Sequence, residues 1–155
     1  MFLDDDDLLF SDHVEVLLNA VLNSNQNTKA AYSLSWEVLT EVTSDKKYKE
    51  REIRLPHVFR TEFDREQLNK FNFIPIQSIL FARELYEDYG GFSPRLDNLE
   101  DWNLWVRYSR KYDFKYVPKV TSMFRTPYDD KIRRKRQAEL DSWYSIAVSE
   151  NEMAH

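Results

Sequence analysis

The chain has 155 residues, close to the roughly 150 of one domain, and its 42% hydrophobic and 32% charged residues exclude a disordered polymer. It has no cysteine, which excludes disulfide frameworks, thiol nucleophiles and thiolate metal sites, and its only two glycines exclude glycine-rich phosphate loops. The net charge of −5 is a local feature: residues 1–16 carry −6, whereas residues 131–136 hold five cations.

In chain order, residues 1–3 read as the stub of a strand running into Asp4-Asp5-Asp6-Asp7. Asp12 followed by Glu15 has capping-box spacing. Val14, Leu17, Leu18, Val21 and Leu22 then recur at one helix face. Residues 23–27 are turn formers. Tyr32, Leu34, Trp36 and Val38 alternate with polar residues, which predicts a half-buried strand. Residues 40–72 are charged and poorly periodic, and read as a long excursion with a short helix near 64–70. A compact apolar run at 74–81 predicts a strand, and Arg83–Tyr89 a short helix stopped by Gly90-Gly91. Residues 99–111 have helical apolar spacing, residues 114–117 and 120–124 read as two short strands around Pro118, and residues 129–148 as a closing helix, basic in its first turns. Helices interleaved with strands place the chain in the α/β or α+β class. No repeat or linker divides it, so residues 1–155 form one domain, with 129–155 as its closing helix and tail.

Two acidic motifs carry chemistry. At a strand end alternate residues face one way, so Asp4 and Asp6 can converge on a hard cation such as Mg²⁺ or Mn²⁺. A solvated acidic turn that caps the next helix accounts for the same run. An EF-hand is disfavoured, because Leu9 stands where its loop needs glycine. The second motif, Glu100-Asp101-Trp102-Asn103-Leu104-Trp105-Val106-Arg107, puts two acids at a helix start, where the dipole favours anions. The plainer reading makes Trp102 and Trp105 core residues, with Arg107 fixing Glu100 on a shared face. His13, His57 and His155 are too scattered for a metal triad and read as surface or loop residues.

Taken together, the order of segments is more specific than either motif. An apolar stub, Asp4-Asp5-Asp6-Asp7, a helix and a strand precede the segment from Phe73-Ile74-Pro75 to Phe81-Ala82-Arg83. Gly90-Gly91-Phe92, the Glu100–Arg107 motif, Val117-Pro118 and Phe124-Arg125 follow. This order resembles the C-terminal part of a family 2 glycosyltransferase of the GT-A fold, over residues 1–125. The resemblance implies a partial GT-A α/β sheet flanked by helices. It also implies that the strand–turn–helix half binding base and ribose lies outside this chain.

By the same resemblance, Asp4 and Asp6 match the D-x-D motif that holds a divalent cation (Mn²⁺ or Mg²⁺) against the diphosphate of a nucleotide-sugar. Asp7 and Arg125 fall on the donor-binding side. Asp101 matches the base of inverting members, with Glu100 beside it. Gly90, Gly91 and Phe92, together with Trp102, Trp105 and Arg107, border the acceptor or support the site. Residues 72–81 resemble the region that shapes the sugar and acceptor pockets. Pro127 stands where a histidine often follows the arginine. The implied activity is metal-dependent, inverting sugar transfer to an acceptor hydroxyl of a glycan or lipid-linked molecule, as in polysaccharide or cell-surface glycan synthesis.

An aspartate at a helix start is expected to be ionised at neutral pH, with a pKa lower than ideal for a base. Residues 131–136 suggest peripheral contact with anionic lipid, although a solvated helix face is the plainer reading. No apolar run approaches the roughly 18 residues of a spanning helix and no signal peptide is evident, so a cytoplasmic enzyme is expected; the overall charge does not favour nucleic acid. Two alternatives compete: a truncated, non-catalytic module that needs a partner half, and a haloacid-dehalogenase-like phosphohydrolase, which Leu8 disfavours.

Overall fold

The computed structural model describes residues 1–45 and 47–153, so His155 lies outside the described residues. It is an α/β structure with a mixed, open five-stranded sheet flanked by helices. The sheet is built on two long strands, β2 (Thr28–Val42) and β5 (Asp113–Pro127), which run parallel along most of their length. The short β1 (Leu8–Leu9) pairs antiparallel with β5. On its other side β2 pairs antiparallel with β4 (Ile79–Phe81) near its start and with β3 (Tyr48–Arg54) near its end.

Residues 30–35 of β2 are all buried, not alternately exposed, because the central strand is covered on both faces. Ala30 and Tyr32 join the main core, whereas Ser33 turns the other way, its Oγ 2.6 Å from Thr121 Oγ1 of β5. Helix α1 (His13–Leu22) lies on that second face, with Leu17 buried and His13 Nδ1 2.7 Å from Thr121 Oγ1. His13 is therefore a fully buried residue, not a surface one. Desolvation holds its pKa below the ordinary imidazole value. The main core gathers around α4 (Glu100–Ser109), whose Trp102, Leu104, Trp105 and Tyr108 are buried against α2 (Arg65–Leu68), α3 (Arg83–Tyr89) and α5 (Asp130–Met153). No helix among the described residues is long and apolar enough to cross a membrane.

Several expectations change. Residues 1–3 are not a strand; the acidic run is a turn, closed by the Asp7 N–H donating to the Asp4 carbonyl, and the strand follows it as β1. Asp12 occupies the cap position of α1, where its carbonyl accepts the Val16 N–H but its side chain makes no bond to the helix. Its φ of −100° and ψ of 1° lie outside the extended geometry a side-chain cap needs, and Lys119 takes its carboxylate instead. The two strands around Pro118 are one. The register against β2 jumps from Val117 opposite Ser33 to Val120 opposite Leu34, which loops out Lys119 and Pro118, the latter lacking an N–H. The 74–81 run is a 3₁₀ turn (Ile76–Ser78) and then β4. Part of the 40–72 excursion is a β-hairpin of β2 and β3.

Candidate active site

The acidic turn lines a cleft of about 670 Å³ through Asp4, Asp6 and Asp7, and Asn72, Leu99, Glu100 and Asp101 line the same cleft. Asp6 and Asp101, 95 positions apart in sequence, therefore share one cavity. The turn is held from below. Arg125 on β5 donates from Nη1 to the Asp6 carbonyl, its guanidinium carbon stands 4.7 Å from the centre of the Tyr48 ring, and its Nη2 lies 3.6 Å from Glu50. Arg125 Nε is buried with no partner among the described residues.

Asp7 points inward and is buried. Its carboxyl pKa is pushed up to about 6, first by burial and then by the negative charges of Asp6 and Asp4, with Arg125 pulling the other way. Asp4 is exposed and Asp6 half-buried, and both face the cleft as hard oxygen donors. Among the described residues no three His, Asp or Glu side chains converge as a ligand cluster. Two carboxylates fit a cation that draws its remaining ligands from substrate phosphates and water, as Mg²⁺ commonly does. They do not fit a self-contained structural ion.

Asp101, which lines the same cleft, is anchored through both oxygens. Oδ1 accepts the Trp102 N–H at 2.7 Å, and Oδ2 accepts Nδ2 of Asn72 at 2.8 Å. Asn72 is itself fixed, because its Oδ1 accepts the Ile74 N–H at 3.0 Å. Although Asp101 reaches the cleft, surrounding protein encloses its carboxylate and pushes its pKa up to about 6, with the Glu100 charge adding to the rise and the two hydrogen bonds opposing it. The expectation of a low pKa for an aspartate at a helix start is thus corrected: desolvation outweighs the helix dipole. Leu99, just before the acidic pair, has a φ of 62° and a ψ of 20°. A left-handed leucine costs about 1–2 kcal/mol. The strain sits where the chain turns to aim Glu100 and Asp101.

The remaining site residues stand behind the cleft. Trp102 and Trp105 are core residues whose indole N–H groups donate to the Leu68 and Ile74 carbonyls. Arg107 does not fix Glu100, which lies seven residues or about 10 Å along the helix axis. It donates to Asn103 Oδ1 at 3.0 Å and to the Tyr89 and Gly91 carbonyls. Tyr108 adds a bond to the Gly90 carbonyl at 2.9 Å, so α4 clamps the glycine turn from two positions. Gly90 has a φ of 76°, and Phe92 packs on Phe2 with ring centres 4.6 Å apart. None of Gly90, Gly91, Phe92, Trp102, Trp105 or Arg107 lines the cleft.

The structure adds residues that sequence reasoning passed over. Asn72 was visible only as part of a pocket-forming segment. Glu37 lines the cleft and accepts a bond from Thr126 Oγ1 at 3.0 Å. Arg133 and Arg136 bring one side of the basic run to the cleft. The period of that helix was the available signal, because residues 133 and 136 are one turn apart. No protein-family model matches this sequence, and no curated protein is significantly similar to it.

Proposed function

We propose that this chain carries the metal-binding and acceptor-side part of a GT-A-type glycosyltransferase site, transferring a sugar from a nucleotide-sugar to an acceptor hydroxyl with inversion. The observation that carries the reading is the shared cleft. A pair of carboxylates able to hold a cation lines one part, and an enclosed carboxylate anchored by Asn72 lines another. Asp101, with its pKa of about 6, is ionised at neutral pH yet closer in basicity to a proton acceptor than an ordinary aspartate. Each of its oxygens accepts one hydrogen bond and keeps a lone pair, so the acceptor hydroxyl can pass its proton there as its oxygen bonds the sugar carbon. Asn72 and the Trp102 N–H keep the carboxylate aimed, and the nucleoside diphosphate leaves from the opposite face of that carbon.

Asp4 and Asp6 would hold the divalent cation. When bound, such an ion stabilises charge on the leaving diphosphate. Arg125 presents the Asp6 backbone and keeps the turn from springing open under its own repulsion. Calorimetric titration with nucleoside diphosphates, with and without Mn²⁺, tests the proposal. Saturable binding that needs the metal and disappears in Asp6→Ala is the expected result. Binding that ignores both metal and substitution overturns it, and no binding at all leaves a non-catalytic module.

A further inference from the structure

Helix α1 meets the sheet through a polar seam. Ser33 and Ser35 of β2 and Thr121 and Ser122 of β5 are all buried there, and His13, in the first turn of the helix, is buried against Thr121. The direction of the hydrogen bonds fixes the tautomer of His13. The Ser78 carbonyl accepts from Ser33 Oγ at 3.5 Å, so Ser33 accepts the Thr121 hydroxyl proton across their 2.6 Å contact. Thr121 Oγ1 is then left to accept from His13 Nδ1 at 2.7 Å, and the neutral imidazole carries its proton on Nδ1. Its Nε2 keeps a bare lone pair, buried with no partner among the described residues.

Thr121 holds the same corner a second time. Its carbonyl accepts the Phe10 N–H at 2.9 Å, and the Phe10 carbonyl accepts the His13 N–H at 3.0 Å. One residue of β5 thus pins the β1–α1 corner by both side chain and backbone. Strand β1 is two residues long, and the acidic turn stands directly ahead of it. A second proton on the imidazole changes the balance. Nδ1–H still reaches Thr121, but Nε2–H meets no acceptor, and a full charge is held away from water. Burial is the main reason that the His13 pKa lies below its ordinary value. Asp12 favours the charged ring, but Lys119 of β5 holds its carboxylate, and the Met1 amino group opposes the charge. Glu15 of α1 is exposed, and β2 and β4, the other strands against α1, bring no charge to bear. Leu17, one turn on, fills the same interface with aliphatic carbon alone, so packing by itself does not call for a titratable group at position 13.

We propose that His13 is an acid-sensitive latch: neutral, it pins the β1–α1 corner to Thr121, and protonated, it releases that corner and loosens the acidic turn joined to it. The released ring titrates at the ordinary imidazole value of 6.5, above that of the docked ring, so the open state binds the extra proton more tightly. The docked corner is therefore fully favoured above pH 6.5. Opening grows by up to about tenfold for each pH unit below that value, until the docked ring itself takes the proton. The latch does not depend on what the cleft binds, so its test uses no nucleotide, and failure of the transferase reading leaves it standing.

Native-state hydrogen exchange by NMR on the full chain, at pH 7 and pH 5, tests it, with each rate divided by the intrinsic rate at that pH. Protection of the Phe10, Val16 and Leu17 amides should fall about tenfold between the two, while Trp105 and Val106 of α4 stay within about twofold. His13→Asn keeps an amide donor where Nδ1 stands and takes no proton, so its α1 protection should stay level over the same range. Equal losses in both proteins, or equal losses in α1 and α4 of the unaltered chain, overturn the proposal. If circular dichroism shows that His13→Asn does not fold, nitrogen-15 NMR of the unaltered imidazole decides. A neutral Nδ1–H ring at pH 7 that gains its charge only as α1 opens is the expected result. A ring already charged at pH 7, or one charged below it with α1 still protected, overturns the latch.

Discussion

Asp101→Asn should stabilise the protein at neutral pH while removing the proposed base. The folded pKa of Asp101, about 6, lies above the ordinary value of 3.8, so the folded chain holds a proton more tightly than the unfolded chain. The cost of ionising the enclosed carboxylate is therefore fully present above pH 6, shrinks as pH falls through that value, and is gone below about pH 4. A rise of this size corresponds to about 3 kcal/mol. The amide keeps one acceptor oxygen for two donors, the Trp102 N–H and Asn72 Nδ2, and losing one such bond costs about 1–2 kcal/mol. The net gain at pH 7 is about 1–2 kcal/mol, or roughly 2–8 °C in melting temperature for a chain of this size. Differential scanning calorimetry of both proteins at pH 7 and pH 4 reads it directly. The variant should melt higher at pH 7 and no higher at pH 4. A variant that melts lower at both pH values, by the same amount, refutes the claim that Asp101 is held ionised at a cost.

Other consequences are open to the same kind of measurement. Asp6→Ala relieves Asp7 of its nearest like charge, so the fold should be unchanged or slightly more stable by urea denaturation while Mn²⁺-dependent nucleotide binding is lost. Arg107→Leu abandons two backbone carbonyls of the glycine turn and Asn103 Oδ1, and should cost about 2–4 kcal/mol in the same assay. Gly90→Ala meets a backbone of φ 76° and ψ 176°, a region essentially open only to glycine, and should cost about 1–3 kcal/mol. Gly91→Ala meets only the exposed Tyr86 ring, 2.8 Å from the added carbon, and should cost less because that ring can swing outward. Asn72→Ala removes a bond that favours the Asp101 carboxylate, so the Asp101 pKa followed by carbon-13 NMR should rise further.

What the sequence made legible follows from the range of each interaction. Helices α1, α3 and α4 stand where 3.6-residue spacing and the Gly90-Gly91 stop place them, because those signals are local. Strand β3 was not legible: all seven of its residues are exposed, so no face produces alternation and only its pairing with β2 makes it a strand. His13 looked like a surface residue because its partner, Thr121, lies 108 positions away. The apolar stub of residues 1–3 suggested a strand ahead of the aspartates, but Phe2 spends its hydrophobicity on Phe81 and Phe92 instead. For the site, the acidic clusters were visible as residue types. Their union in one cleft depends on β5 placing Arg125 under the turn and on Asn72 reaching α4, contacts that no local pattern encodes. The basic run of α5 was readable from the sequence, yet only the fold shows that Arg133 and Arg136 line the cleft.

Paramagnetic broadening by Mn²⁺ in the presence of a nucleoside diphosphate tests the central claim most directly, because it maps the ion onto the cleft without requiring turnover. Saturable broadening is expected for amide signals from residues 4–7 together with the Asn72 side chain and the Leu99–Asp101 backbone, with both sets abolished by Asp4→Asn combined with Asp6→Asn. Signals at the far end of α1, around Leu22, should stay sharp. Broadening confined to the acidic turn, broadening centred on another surface such as Glu41 and Asp45, or an effect that survives the double substitution would contradict the joining of the two acidic motifs into one site.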